Sequence, residues 1–248
     1  MAEVKFPTEV VNLPSKGLLY PEDHPLASGQ IEIRYMTARD EDIITSPNLI
    51  KQGLVVDKLL ENIIVTEGVK VDDLIVGDKN SVLIATRILA YGKDYDVEIG
   101  GERVTIDLSK LKDNVLDEKK VKDRTNLFEF ELPATKAKIQ FKILTSGEEN
   151  KANEESEALA KVSGGIPYTL TTRMKHQIVS VDGSDKRQDI NNFVDYQLLS
   201  RDSVALRRAI SDISPDVDMS WEFTDSSGER REITVPMTVQ FLWPSIKL

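Results

Sequence analysis

The chain contains no cysteine and only two histidines among its 248 residues. The lack of cysteine excludes disulfides, thiolate zinc sites and cysteine nucleophiles, and it fits a chain that folds in a reducing cytoplasm. His24 and His176 lie in polar stretches, and neither has the serine and carboxylate neighbours of a catalytic triad. We interpret both as solvated side chains. The sequence therefore predicts a protein that is not an enzyme and that uses no metal and no cofactor.

Long hydrophobic runs and an excess of basic residues are also missing. No window approaches the roughly 18 apolar residues that a membrane-spanning helix requires. The N-terminus has no apolar stretch of signal-peptide length. Because 42 acidic side chains outnumber 32 basic ones, the net charge is −10, which repels a phosphate backbone. We expect a soluble, unexported chain with no membrane segment and no nucleic-acid partner.

What is present is a mixture of strand and helix patterns. Two short extended runs, residues 9–13 and 30–36, flank a loop rich in proline and glycine, which predicts a pair of strands. Two further runs, residues 127–132 and 136–144, have apolar residues on one face and predict a second strand pair. The first half of the chain therefore contributes small sheets.

Three stretches have the spacing of amphipathic helices, at residues 56–64, 79–91 and 203–213. Asp78 and Asp202 stand directly before the second and third stretches. Aspartate is a preferred residue at a helix N-cap, so we expect both carboxylates to cap their helices.

Two predicted hairpins share a Gly-Glu-Arg turn. The first reads YDVEIGGERVTIDL at residues 95–108, and the second reads WEFTDSSGERREITV at 221–235. Cross-strand apolar pairs would hold the first hairpin. The residues expected to form these pairs are Val97, Ile99, Val104 and Ile106. A repeat fold needs several stacked units, so the recurrence indicates only duplicated local architecture.

These patterns together predict an α+β protein of short β-hairpins and small sheets with several amphipathic helices, arranged in one unit or in two lobes. Residues 1–145 would form an N-terminal α+β lobe that contains the first hairpin. Residues 146–167 are acidic and end in Gly164, Gly165 and Pro167, which is typical of a linker or an exposed helix. Residues 168–248 would form a C-terminal helical segment with the second hairpin.

Exposed apolar side chains on otherwise polar segments are the candidate partner contacts, because Trp and Tyr are enriched at the energetic centres of interfaces. The candidates are Leu18, Leu19, Tyr20, Phe241, Trp243 and Pro244. Trp243 has an alternative interpretation, in which it folds back into its own domain. Arg201, Arg207 and Arg208 also have two interpretations, as a surface that meets acidic groups or phosphate, or as an ordinary contact or solvated surface.

Several motifs resemble the baseplate hub proteins of T4-type tailed phages, a family that includes the hub subunit and the hub assembly catalyst. The motifs are LPSKGLLYP at residues 13–21, IRYMTARDEDIIT at 33–45, GDKNSVLIATRILAYGKDYDVEI at 77–99 and the terminal FLWP. The resemblance covers most of residues 10–110 and the C-terminal end, and it is weak in the middle. The matching positions are Leu13, Pro14, Gly17, Pro21, Thr37, Glu41, Asp78, Arg87, Tyr91, Gly92, Tyr95, Trp243 and Pro244.

The resemblance implies a non-enzymatic protein that sits in the baseplate hub or helps the hub to assemble. Its partners would be other phage baseplate or tail proteins, and it would act in the host cytoplasm during assembly and then in the virion baseplate. The alternative is a transient tail-assembly chaperone that is absent from the mature virion. Self-association remains open under either alternative.

The resemblance also implies CxxC pairs of the zinc-knuckle type in the hairpins, because related chains often carry them. In this chain the corresponding positions are glycine, serine or charged residues. The hairpins would then depend on cross-strand pairs and on packing against their neighbours. This departure makes the hairpins candidate docking elements.

Overall fold

The computed structural model describes residues 6–121, 123–237 and 239–243. The described chain is α+β, with helices interleaved between small antiparallel sheets of two or three strands. The strands are β1 Thr8–Asn12, β2 Gln30–Arg34, β3 Asp94–Ile99, β4 Glu102–Asp107, β5 Lys112–Asn114, β6 Phe128–Glu131, β7 Lys138–Phe141, β8 Ile178–Val181, β9 Asp216–Asp218, β10 Ser220–Thr224 and β11 Arg230–Thr234. The α-helices are α1 Ala38–Ile44, α2 Pro47–Gln52, α3 Val55–Ile63, α4 Val76–Tyr91, α5 Ser146–Val162, α6 Thr169–Gln177, α7 Arg187–Asn192, α8 Ser200–Ser211 and α9 Val239–Leu242.

The N-terminal strands pair as the sequence predicts, with β1 antiparallel to β2 and Val11 opposite Ile31. Helix α1 begins after Thr37, whose backbone N–H donates to the Asp40 carboxylate at 2.7 Å. Pro47 occupies the first turn of α2, where its missing N–H has no intrahelical partner to lose. The apolar stripe of α3 is buried as the 3.6-residue period requires. The predicted strand pair and the predicted helix at residues 56–64 are both confirmed.

Helix α4 contacts both β1 and β9. Its first turn passes so close to the segment before β9 that a Cβ atom on Gly77 would lie 1.9 Å from the carbonyl oxygen of Pro215. Only glycine permits this approach. The contact brings residues that lie far apart in the sequence into the same core.

The remaining sheets combine near and distant segments. Strands β6, β7 and β8 form a three-stranded antiparallel sheet in that order, and β5 pairs with β9. Most of the buried apolar residues in the described chain form one cluster that extends from Val11 to Leu242. The division into lobes at 1–145 and 168–248 stays a prediction. Within the predicted linker, α5 runs as a helix from Ser146 to Val162 and has Thr145 as its N-cap.

Both Gly-Glu-Arg sequences form the predicted hairpins, β3–β4 and β10–β11. In the first hairpin Val97 lies opposite Val104 as expected, but Ile106 pairs with Tyr95 and not with Ile99. The two turns meet, because the side chain of Ser226 in the second hairpin donates to the Glu102 carboxylate in the first. The hairpins therefore support each other at their tips.

The two predicted aspartate caps are wrong. Asp78 and Asp202 lie inside the first turns of α4 and α8, and both side chains are fully buried. Asp202 accepts hydrogen bonds from the backbone N–H groups of Ala134 and Thr135 at 2.8 and 2.9 Å, and so holds the turn between β6 and β7. Both carboxylates bind distant parts of the chain instead of their own helix ends.

Candidate interaction surfaces

The LPSKGLLYP turn is fixed to helix α4 by Asp78. The backbone N–H of Ser15 donates to Asp78 Oδ1 at 2.9 Å, and the hydroxyls of Ser15 and Tyr20 donate to Oδ2 at 2.6 Å each. The Tyr20 oxygen in turn accepts from the backbone N–H of Ile75 at 2.9 Å. A left-handed conformation at Gly17, with φ of 73°, allows the turn. Four motif residues are thus used to hold one segment against another.

The groups that donate hydrogen bonds to Asp78 are all neutral. Burial raises the pKa of the Asp78 carboxyl, and the hydrogen bonds from Ser15 and Tyr20 offset only part of this effect. Burial, together with the neighbouring Asp78, also raises the pKa of the Tyr20 phenol far above its ordinary value. The Tyr20 ring stacks on His24 at a centroid distance of 5.4 Å. The site has no open face toward a substrate, so we assign it a structural role.

A second motif residue, Arg87, fixes the end of α4. Its guanidinium is buried and donates to the carbonyl oxygens of Gly92 and Asp94 at 3.0 and 3.4 Å. It also lies 5.1 and 5.8 Å from the ring centroids of Tyr91 and Tyr95. Burial lowers the pKa of this guanidinium. Arg87 therefore joins α4 to the start of the first hairpin.

The C-terminal aromatic residues complete this part of the core. Phe241 is fully buried and packs edge to face on Tyr95, with centroids 5.1 Å apart. The Tyr95 hydroxyl donates to the Pro236 carbonyl oxygen at 3.1 Å. Motif residues that lie far apart in the sequence are thus in contact.

Another buried carboxylate, Asp40, holds strand β2 to helices α1 and α3. Arg34 donates to it through both terminal nitrogens at 2.8 Å each, and Asn62 adds a further donor. Burial raises the pKa of the Asp40 carboxyl, but the hydrogen bonds from Arg34 and Thr37 outweigh burial and bring the pKa well below its usual range.

Most of the predicted contact residues are not surface residues. Leu19, Tyr20 and Phe241 are buried, and Leu18 and Trp243 are partly buried against the core. Pro244 lies outside the described residues. Burial leaves Leu19, Tyr20 and Phe241 unavailable as exposed contacts. For Trp243, packing against the core supports the alternative in which it folds back into its own domain.

An apolar opening lies between β6 and α8. This β6–α8 groove has a volume of about 630 Å³. Its apolar walls are formed by Phe128, Phe130 and Phe141 of the sheet with the preceding Leu127, and by Ala209 of α8 with the following Ile213. The rings of Phe128 and Phe141 stack at 5.7 Å, and Leu127 is 40% exposed. Lys120, Glu129 and Asp212 lie on its rim. An aromatic floor with a polar rim is typical of a binding groove.

Sequence reasoning missed this groove. The run FEFE at residues 128–131 shows alternation, which predicts that Phe128 and Phe130 share a face. The sequence does not show that β6 is the end strand of its sheet, nor that the C-terminal half of α8 stands beside it. These two facts depend on tertiary structure.

Other exposed apolar residues lie on or near helices α5 and α8. On α8, Val204 is exposed between Arg201 and Arg208. Tyr196, before this helix, is 84% exposed, and Val162 at the end of α5 is 82% exposed. Of the three arginines considered above, Arg207 donates through Nε to the Ser203 carbonyl oxygen at 3.3 Å. The two interpretations of the arginines therefore stay open.

Both histidines have polar partners within the chain. The Nδ1 atom of His24 accepts from the backbone N–H of Leu26, and Nε2 of His176 is 2.8 Å from Glu155. Within the described residues, no group of three or more His, Asp or Glu side chains is placed to hold a metal ion. The described chain also contains no helix that is both long and apolar enough to cross a membrane.

Comparisons with protein-family models, with curated proteins and with solved structures find no match to this chain. The functional assignment therefore depends on the motifs and on the geometry described above.

Proposed function

We propose that the chain is a baseplate hub component or hub assembly protein of a contractile-tail phage, acting through protein contacts and not through catalysis. The observation that carries the proposal is that its hub-like motif residues converge. Ser15, Tyr20 and Asp78 form one buried network, and Arg87 leads through Tyr95 to Phe241. Motifs that meet in one core support a shared fold, because isolated coincidences of sequence would not need to pack together.

The surface supports a role in contacts. The β6–α8 groove is apolar at its floor and open to solvent, and partner proteins bind such surfaces through a few desolvated side chains. Its partners would be other baseplate or tail proteins, in the host cytoplasm during assembly and in the virion baseplate afterwards.

Removal of the terminal FLWP residues is a poor test of docking. Phe241 is fully buried against Tyr95, so a truncated chain would lose part of its core. We expect that truncation to reduce the stability of the monomer, and a binding defect would then have no clear cause.

A sharper test co-expresses the chain with hub proteins of a T4-type phage and measures complexes by size-exclusion chromatography with light scattering. We expect a stoichiometric complex that Leu127→Glu, in the β6–α8 groove, weakens at least tenfold. Val162→Glu is the matched control, since it adds the same charge at a more exposed site. Thermal melts establish that both variants fold.

Mass spectrometry of purified particles separates the two assembly roles. Presence of the chain in particles supports a hub component, and a complex during assembly with absence from particles supports a transient chaperone. The proposal is wrong if the folded protein forms no complex with any hub or tail protein.

A further inference from the structure

The outer edge of β6 has unpaired backbone groups. Leu132 N–H donates to the Ala137 carbonyl oxygen at 3.0 Å, which identifies one hydrogen-bonded pair of the β6–β7 ladder. Such pairs alternate along an antiparallel ladder, so Phe130 and Phe128 also bond toward β7. The N–H and C=O groups of Glu129 and Glu131 therefore point away from β7. In the part of the chain that the structure describes, no strand pairs with this edge.

The two faces beside this edge differ in chemistry. On one face, Phe128 and Phe130 border the apolar β6–α8 groove. On the other face, Glu129 and Glu131 stand beside Gln140 and Lys138 of β7 and are exposed. A strand added to the edge would place alternate side chains on these two faces.

We propose that β6 accepts an extended segment of a partner protein in which apolar and basic residues alternate. The free groups of Glu129 and Glu131 supply main-chain hydrogen bonds. The apolar side chains of the partner enter the β6–α8 groove, and its basic side chains lie across from the two glutamates, where opposite charges stabilise a strand pair. The net charge of −10 on the whole chain favours the same kind of partner. This inference rests on the proposed function, since it specifies the partner of the same groove.

The direct test uses the full chain and a synthetic peptide of alternating valine and lysine with both ends capped. We expect the amide NMR signals of Glu129 and Glu131 to shift on titration and their hydrogen exchange to slow. A peptide of the same composition, with valine and lysine in separate blocks, should leave these signals unchanged. Equal shifts with both peptides would indicate nonspecific charge attraction and would overturn the proposal.

Backbone pairing is tested by methylating alternate amide nitrogens of the peptide. Methylating the amides that face β6 blocks the hydrogen bonds to this strand. Methylating the intervening amides, which face away from β6, leaves these bonds free. We expect one methylated peptide to bind and the other to lose detectable binding. Binding by both would contradict strand addition.

Charge specificity is tested with the double variant Glu129→Lys and Glu131→Lys, which changes only exposed side chains. We expect at least fivefold weaker binding of the valine-lysine peptide, and a gain of binding for a valine-glutamate peptide, since each cross-strand charge pair contributes up to about 1 kcal/mol. Glu157→Lys on α5 is the control, and it should change the binding of neither the valine-lysine peptide nor the valine-glutamate peptide. If the peptides fail to bind while complexes with hub proteins still form, the strand-addition inference is wrong and the proposed function stands.

Discussion

Asp40 and Asp78 are both fully buried carboxylates in helical first turns, yet their pKa values move in opposite directions. Both are removed from water, which by itself raises the pKa of an acid. Asp40 has a bidentate pair with Arg34, whereas Asp78 accepts from the neutral groups of Ser15 and Tyr20. The Arg34 cation, which has no counterpart beside Asp78, is one of the groups that hold the pKa of the Asp40 carboxyl down against the effect of burial.

The two regions also differ in how they respond to loss of charge. The Arg34 guanidinium is largely buried, so it depends on a negative partner. The hydroxyls around Asp78 can rotate and either donate or accept. We therefore expect stable folding to require a negative charge at position 40. At position 78 we expect an uncharged side chain of the same shape to be sufficient.

The largest effect should follow Asp40→Asn. This change keeps the volume but leaves Arg34 buried without its counter-charge, and we expect a loss of about 4 kcal/mol in the free energy of unfolding. Urea denaturation at neutral pH measures it. Asp42→Asn, at an exposed position on the same helix, is the control and should change the free energy by less than about 0.5 kcal/mol.

A smaller effect should follow Asp78→Asn. The amide oxygen still accepts one bond, and the Ser15 and Tyr20 hydroxyls can turn to accept from the new NH₂ group, so we expect a loss of about 2 kcal/mol. The same denaturation experiment compares the two variants directly. A loss equal to or greater than that of Asp40→Asn would show that Asp78 is needed as a charge, and the comparison would fail.

Tyr20→Phe should have a smaller effect again. It removes one donor to Asp78 and the acceptor for the Ile75 N–H, but the Ser15 donors remain, and we expect a loss of about 1 kcal/mol. Tyr196→Phe removes the same hydroxyl from an exposed ring and provides the control. In the double variant Tyr20→Phe and Asp78→Asn, the two losses in the free energy of unfolding should not add, because the two side chains share a hydrogen bond.

The sequence predicts much of this scaffold but not its chemistry. Helical spacing locates α3 and α4, and alternation locates β1, β2 and both hairpins, because these patterns depend on neighbouring residues. The sequence pattern wrongly assigns Asp78 and Asp202 to helix caps. A local pattern cannot show a distant partner such as Ser15, which lies 63 positions before Asp78. The β6–α8 groove is missed for the same reason. Motif residues such as Tyr20, Asp78 and Arg87 are buried in the fold. The β6–α8 groove, which is open to solvent, is formed by residues outside the motifs.

The two carboxylates should also respond to pH in opposite directions. The pKa of Asp40 in the folded chain lies below its ordinary value, so its stabilisation is present above about pH 4 and is lost as the pH falls further. The pKa of Asp78 lies above its ordinary value, so its contribution is greatest below about pH 4 and is lost as the pH rises. We expect Asp40→Asn to flatten the acid limb of the stability profile, and Asp78→Asn to flatten the decline on the other side. Urea denaturation across the acidic and neutral range measures both limbs. Parallel profiles for the two variants would mean that the neighbouring cation does not set the difference between these carboxylates.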